Sequence, residues 1–338
     1  MAIRAHSLAV TGVEPQGSDA ILLSLGVTAE QQPHFGFRPG QYLTLAVEVQ
    51  GDEHWRCYSI TSEPVVGQPI SVLVRRVAGG RVSNWLCDHA QPGLRLKVLP
   101  PAGHFTLARP GQPVLLYAGG SGIAPVYALA REALAQGAAR VRLFYTNRDR
   151  ATAMLLAELQ ALQDAAAGRL EIVHWYDAEQ GLPAQAVLVA QAQGLDQADA
   201  YMCGPEPFMH AVGASLQGRR GSMPSVCTGR TSGAAVEGAS EEAAGDGPEA
   251  LLTVLMKGQT HAVPVRAGEL LLSAMLRAGL PAPHACRVGE CASCMCRLQA
   301  GEVQRLDSSV LDEDDVAAGW LLACRTRAAS PALQVRFS

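Results

Sequence analysis

The sequence predicts a multidomain chain: a small antiparallel β-barrel, then a doubly wound α/β module, then a third compact unit. Three observations predict this order. Residues 1–108 read as short alternating runs broken by Gly and Pro turns. Residues 109–220 alternate buried strand with helix, the pattern of a parallel sheet. Residues 221–249 lose every apolar period and read as a flexible linker before a cysteine-bearing segment, 250–338, begins.

At 338 residues the chain has the length of two or three domains, and with 48% hydrophobic residues each can bury a core. The formal net charge is −4 and no basic stripe exists, so a nucleic-acid partner has no electrostatic support and none is expected. The longest uncharged stretch, "PGQPVLLYAGGSGIAPVYALA" (110–130), is as long as a membrane span, yet four glycines and three prolines lie inside it. It reads as strand, turn and helix, so no membrane span is expected. The opening "MAIRAHSLAVTGVEPQG" has no apolar signal region. A reducing, cytoplasmic location is therefore expected, and disulfides are not.

In the first module "YLTLAVEV" (42–49) and "ISVLVRRV" (70–77) are strands. "RCYSIT" (56–61) is a further strand candidate. "RRVAGGRVSNWL" (75–86) places a Gly79-Gly80 turn ahead of Ser83, a helix N-cap candidate. A helix N-terminus with Arg56 can hold a pyrophosphate. Tyr58 can stack on a flat ring and Ser59 can hydrogen-bond a ring nitrogen. A strand that carries these residues for packing alone is the competing reading.

In the second module "VLLYA" (114–118) is a buried strand and "PVYALAREALAQG" (125–137) a helix, with Pro125 early and Gly137 late. A strand "RVRLFYT" (140–146), a helix "TAMLLAELQALQDAAA" (152–167), and strands "LEIVHWY" (170–176) and "AYMCG" (200–204) follow. "YAGGSGIAP" (117–125) joins strand to helix, and its glycines let a phosphate approach backbone amides at the positive end of the helix dipole. Pro125 stands near the place of the last Rossmann glycine, so a phosphate loop and a generic glycine turn both remain open. "CGPEPFM" (203–209) ends a later strand, where ligands of parallel sheets collect, so Cys203 and Gly204 face the same crevice. Cys203 also reads as a small buried hydrophobe.

The third unit holds Cys286-x4-Cys291-x2-Cys294, with Cys324 ending the apolar run "WLLAC". This is the spacing of plant-type 2Fe-2S sites. Small residues at Gly289, Ala292 and Ser293 let backbone N–H groups reach the sulfurs. A zinc site would pair two C-x2-C knuckles; that alternative stays open. His284-Ala285-Cys286 runs in the wrong order for a Rieske centre. Cys296 is either a small core residue or an alternative ligand. "LDEDD" (311–315) is either a solvated helix start or a docking patch.

Together and in this order, these motifs resemble the ferredoxin–NADP reductase superfamily. Within it they resemble the oxygenase reductases with a C-terminal ferredoxin module, such as those of phenylacetyl-CoA epoxidase and ketosteroid hydroxylase systems. The resemblance implies a β-barrel flavin domain, a doubly wound nucleotide domain and an α+β, β-grasp ferredoxin domain. It assigns Arg56, Tyr58, Ser59, Val72 and Val74 to the flavin, and Gly80, Arg81, Val82 and Ser83 to the pyrophosphate of FAD. Gly120, Ser121 and Gly122 become the nicotinamide dinucleotide loop, with Thr146, Asn147 and Arg148 at the adenosine end. Cys203, Gly204 and Pro205 lie beside the nicotinamide. Ser59 and Cys203 are the implied catalytic pair, one at the flavin nitrogen that receives hydride and the other packed where the nicotinamide must lie. Cys286, Cys291, Cys294 and Cys324 hold the 2Fe-2S cluster. Electrons are then expected to pass from NAD(P)H through FAD and the cluster to a terminal oxygenase, hydroxylase or desaturase. In "YTNRDR" (145–150), Arg148 or Arg150 can pair a 2′-phosphate and Asp149 a free 2′-hydroxyl, or all three form a solvated strand end; NADPH is slightly favoured over NADH. A stand-alone flavin diaphorase and a redox or nucleotide sensor with a metal-bearing tail are the rival readings.

Overall fold

A computed structural model describes residues 5–49, 51–103, 105–216, 226–230, 248–256, 258–280, 282–284, 289, 294–306, 311 and 313–337. The chain divides into two compact units, His6–Asp52 with Tyr58–Ala234, and Met1–Ala5 with Glu53–Cys57 and Ala235–Ser338.

Six strands open the chain: β1 (His6–Gln16), β2 (Ala20–Gly26), β3 (Tyr42–Val49), β4 (Asp52–Ser59), β5 (Ile70–Arg75) and β6 (Arg95–Ala102). They form one sheet in the order β4-β3-β6-β1-β2-β5. Ile60, just past β4, bridges Val72 of β5 in antiparallel fashion and draws the sheet toward closure. Period-two alternation drives this fold: Leu8 and Val10, Leu23 and Leu25, Leu43 and Leu45, Val72 and Val74 all point into one core. Helix α1 (Arg81–His89) adds Val82 and Leu86, one turn apart on one face. Gly80, not Ser83, is its N-cap. Ser83 lies inside the first turn and its Oγ accepts the Val77 N–H (3.3 Å), while Asn84 Nδ2 donates to the Val77 carbonyl (3.1 Å). The serine thus staples the preceding turn, because Val77 offers it a partner that a capping serine would find in the helix.

The nucleotide module comprises β7 (Val114–Gly119), α2 (Ile123–Ala135), β8 (Val141–Asn147), α3 (Leu156–Ala165), β9 (Leu170–Tyr176), α4 (Asp177–Gln180), α5 (Gln185–Ala190), β10 (Asp199–Gly204), α6 (Glu206–Leu216) and β11 (Val226–Arg230). These strands pair in parallel, in the order β11-β10-β7-β8-β9. Alternate residues of β7 face opposite cores: Leu116 and Ala118 pack with α2 and α3, Leu115 and Tyr117 with α5 and α6. Helix α3 starts at Leu156, four residues later than the sequence predicts. Asp149 takes both the N–H and the hydroxyl of Thr152 (2.8 Å each), which holds a turn there instead. β11 falls inside the range read as linker. Its "VCTGR" contains strand formers whose signal is lost among the Gly, Ser and Ala around it; residues 221–225 and 231–247 of that range lie outside the described residues.

The second unit carries β12 (Pro248–Met256), β13 (Gln259–Arg266), α7 (Leu271–Arg277), β14 (Met295–Ala300), β15 (Val303–Arg305), α8 (Glu313–Ala317), β16 (Trp320–Leu322), β17 (Thr326–Ala328) and β18 (Ala332–Arg336). The main sheet runs β13-β12-β18-β14-β16, with β12 and β18 parallel. α7 buries Leu271, Leu272 and Met275 in the same core. This is a β-grasp-like arrangement. Within "LDEDD" Asp315 is 6% exposed, so the acidic run is neither wholly solvated nor wholly available for docking.

Candidate functional site

The parallel sheet reverses its strand order between β7 and β10, and ligands of such sheets bind outside the carboxyl ends at that point. Gly119-Gly120-Ser121-Gly122 leaves β7 there, and Cys203-Gly204-Pro205 leaves β10. The two loops are in contact. A Cβ on Gly122 would land on the carbonyl of Cys203, and one on Gly204 would come within 3.0 Å of the Gly119 Cα. Only glycine lets the loops approach this closely. The crevice therefore presents the amides at the start of α2, a cradle suited to a pyrophosphate.

Arg75, at the end of β5, lies against the glycine loop and was passed over in the motifs. Its Nη1 would lie 2.8 Å from a Cβ on Gly120, and its Nε donates to Asp19 Oδ2 at 3.2 Å. The sequence signal was the basic pair Arg75-Arg76 ahead of the Gly79-Gly80 turn, but the partner Asp19 is 56 residues away.

At the end of β8, Thr146 and Asn147 are buried, and Thr146 Oγ1 donates to Asp177 Oδ1 at 3.0 Å. Arg148 is exposed, and its Nε donates to Asp149 Oδ2 at 2.9 Å. With Arg148 first and Thr152 next as donors, the Asp149 carboxyl is held down at about 2. Arg150 is held by both oxygens of Glu179 (2.7 and 3.0 Å) and lies 4.4 Å over the Tyr176 ring.

Cys203 is 2% exposed, and burial pushes its thiol up to about 12. It stays protonated, so it can shape the crevice but not act as a nucleophile.

For a flavin, Tyr58 and Ser59 end β4 and are half-exposed. Arg56 lies on the same strand and its Nη1 donates to the Trp55 carbonyl at 2.7 Å. Gly80, without a Cβ that would come 2.6 Å from Ser83 Oγ, opens α1 with exposed Arg81 beside it. The helix start and the arginine suit a pyrophosphate. Val72 and Val74 are both 0% exposed. Their side chains belong to the core of the sheet.

In the second unit Cys294 and Cys324 are 3% and 2% exposed, and the Cys324 N–H donates to Cys294 Sγ at 3.5 Å. A buried sulfur that receives an amide hydrogen bond suits a thiolate ligand. Gly289 is buried with φ +85°, and a Cβ there would meet the Arg325 side chain at 2.5 Å. Cys286, Cys291, Ala292 and Ser293 lie outside the described residues. Cys296 is 0% exposed in the same core and burial raises its thiol.

An oxidoreductase FAD-binding domain model matches residues 8–107, an oxidoreductase NAD-binding domain model residues 116–213, and a 2Fe-2S iron-sulfur cluster binding domain model residues 254–329. The chain is 36% identical over 344 residues to the ferredoxin reductase component of the 3-ketosteroid-9-alpha-monooxygenase of Rhodococcus rhodochrous, covering 99% of this chain and 97% of that protein. It is 31% identical over 339 residues to a component protein of the 1,2-phenylacetyl-CoA epoxidase of Escherichia coli K12, covering 95% and 94%. Phthalate dioxygenase reductase shares the fold, with a TM-score of 0.61 at 24% identity over 98% of both chains.

These modules define a flavin- and nicotinamide-dependent iron–sulfur oxidoreductase. The chain belongs to the FAD- and NAD(P)H-binding ferredoxin reductases of the ferredoxin–NADP reductase superfamily, closely related to the reductase components of ketosteroid monooxygenases. It transfers electrons from NAD(P)H through FAD to a 2Fe-2S cluster.

Proposed function

We propose that this chain is the reductase component of an oxygenase system, delivering electrons from NADPH to a terminal oxygenase, hydroxylase or desaturase. The observation that carries the reading is full-length similarity, 99% of this chain, to a monooxygenase reductase component. When bound, FAD and the cluster convert a two-electron hydride donor into a one-electron supply. The chain's own residues hold the parts in place. Tyr58 and Ser59, partly exposed at the end of β4, would hold the flavin ring, Tyr58 by its flat side chain and Ser59 by its hydroxyl. Arg56 and the Gly80–Ser83 turn would hold the pyrophosphate, Gly120–Gly122 would hold the coenzyme phosphates, and Cys203 with Pro205 would border the nicotinamide. Cys286, Cys291, Cys294 and Cys324 bind the irons.

The preference for NADPH rests on the end of β8. Both oxygens of Asp149 are engaged, by Arg148 and by Thr152, so that carboxylate is not free to take a ribose diol. Arg148 remains exposed to pair a 2′-phosphate. Comparing kcat/KM for NADPH and NADH in the wild type and in Arg148→Ala tests this; an unchanged ratio removes it. Among the described residues no helix is long and apolar enough to cross a membrane. The partner is tested by reconstitution with a purified terminal oxygenase from the same organism. NADPH-dependent product formation is expected; coenzyme oxidation with no product overturns the assignment.

A further inference from the structure

We propose that the β1–β2 turn, Gln16–Asp19, is a positioning element for the coenzyme, with Gln16 as its principal residue. It ties the barrel to the two loops of the nucleotide module that face the crevice.

Gln16 is 9% exposed, an unusual burial for an amide at a hairpin turn. Its Oε1 accepts the Leu155 N–H and its Nε2 donates to Glu158 Oε1, each at 2.9 Å. Ser18 N–H donates to the Ala151 carbonyl at 2.8 Å. Gly17 has φ +55°, and a Cβ there would lie 2.8 Å from the carbonyls of both Ala151 and Ala153. The turn therefore plugs directly into 151–155. On its other side Asp19 holds Arg75, which reaches Gly120.

The segment that Gln16 grips is otherwise hard to hold. Leu155 has φ 56° and ψ 28°, a left-handed conformation that a branched side chain disfavours. Its N–H is buried, and Gln16 supplies the acceptor. From there the connection to the coenzyme is short: Thr152 is bonded to Asp149, and Asp149 to Arg148. Releasing Leu155 loosens the turn that sets Arg148. The inference rests on the reading that residues 148–150 face the coenzyme.

The test uses the full-length holoprotein and ferricyanide as acceptor. Gln16→Ala leaves the Leu155 N–H without a partner and is expected to raise the NADPH KM about 5- to 10-fold. The flavin absorbance and kcat should move far less, and the NADPH-to-NADH preference should narrow. Gln16→Glu keeps an acceptor for the Leu155 N–H but sets its carboxylate against Glu158, which pushes the turn away from 151–158 and should also raise KM. The exchanged pair Gln16→Glu with Glu158→Gln keeps the acceptor for Leu155, removes the repulsion and restores a donor between 16 and 158, and should return KM to near the wild-type value. An unchanged KM in Gln16→Ala, a KM that the exchanged pair does not restore, or a loss of activity only in step with lost flavoprotein overturns the proposal. If Gln16→Ala does not fold, the comparison of Gln16→Glu with the exchanged pair decides alone. A raised KM in Gln16→Ala alongside an Arg148→Ala variant of unaltered preference upholds the positioning role and dismisses only the reading of Arg148.

Discussion

The backbone N–H of Cys324 points at the sulfur of Cys294, 3.5 Å away across thirty residues of chain. Both side chains are buried, so a thiolate there depends on such donors for stabilisation. Replacing Cys294 by Ser should give protein without stoichiometric iron and sulfide. Its cytochrome c reduction should be lost while ferricyanide reduction by NAD(P)H survives. Loss of both activities with flavin still bound would show that electrons do not leave the flavin as described.

Gly122→Ala should be costly without any backbone strain, since Gly122 has φ −60°. The added methyl collides with the Cys203 carbonyl, an overpacking worth about 1–3 kcal/mol. Urea unfolding should show that loss, and the coenzyme KM should rise as the two loops separate.

Arg75→Ala removes a cation that lies beside Gly120 and pairs with Asp19. A charge-assisted contact to a phosphate of about 1.5–3 kcal/mol implies a KM increase of roughly 10-fold or more. The wild-type KM should rise with ionic strength more steeply than that of the variant. Lysine at this position should restore part of the affinity. Equal KM values for wild type and Arg75→Ala would place the arginine outside the coenzyme site.

His174 links stability to pH. Its side chain is solvent-exposed on β9, and partial desolvation between the tyrosine rings first, with the Arg150 charge second, lowers its imidazole from the ordinary 6.5, an effect that solvent screening keeps small. The ring lies between Tyr145 and Tyr176, 6.0 and 6.3 Å from them. The folded state keeps it neutral while the unfolded chain takes up a proton near 6.5, so stability rises with pH between the folded value and that point. Acidifying from about pH 7 through about 6 should lower the melting temperature, and His174→Gln should shrink that slope. An identical slope in the variant would exclude His174 as the source.

Much of this was legible in residue order. "YLTLAVEV" became β3 residue for residue because alternation and burial agree along it. The strand–glycine–helix passage at 114–135 was equally plain, since its glycines are dictated by contacts at both strand ends. The start of α3 was not. "TAML" has good helix formers, and what overrides them is the Asp149–Thr152 turn together with the Leu155 N–H donating to Gln16, 139 residues earlier. Arg75 escaped for a similar reason: its meaning depends on Asp19 and Gly120, which only the folded chain brings together. Val72 and Val74 were legible as core residues of β5, and both side chains are buried in the sheet's core.

In the ferredoxin module β18 is the middle strand, parallel to β12 on one side and antiparallel to β14 on the other. A ribosome must have translated residue 336 before that sheet can close. Metallation must then wait for late synthesis, since Cys294 precedes and Cys324 only just precedes the strand that unites their supports. The barrel and the parallel sheet, whose strands are all made by residue 230, face no such delay. Nascent chains can therefore acquire flavin well before iron.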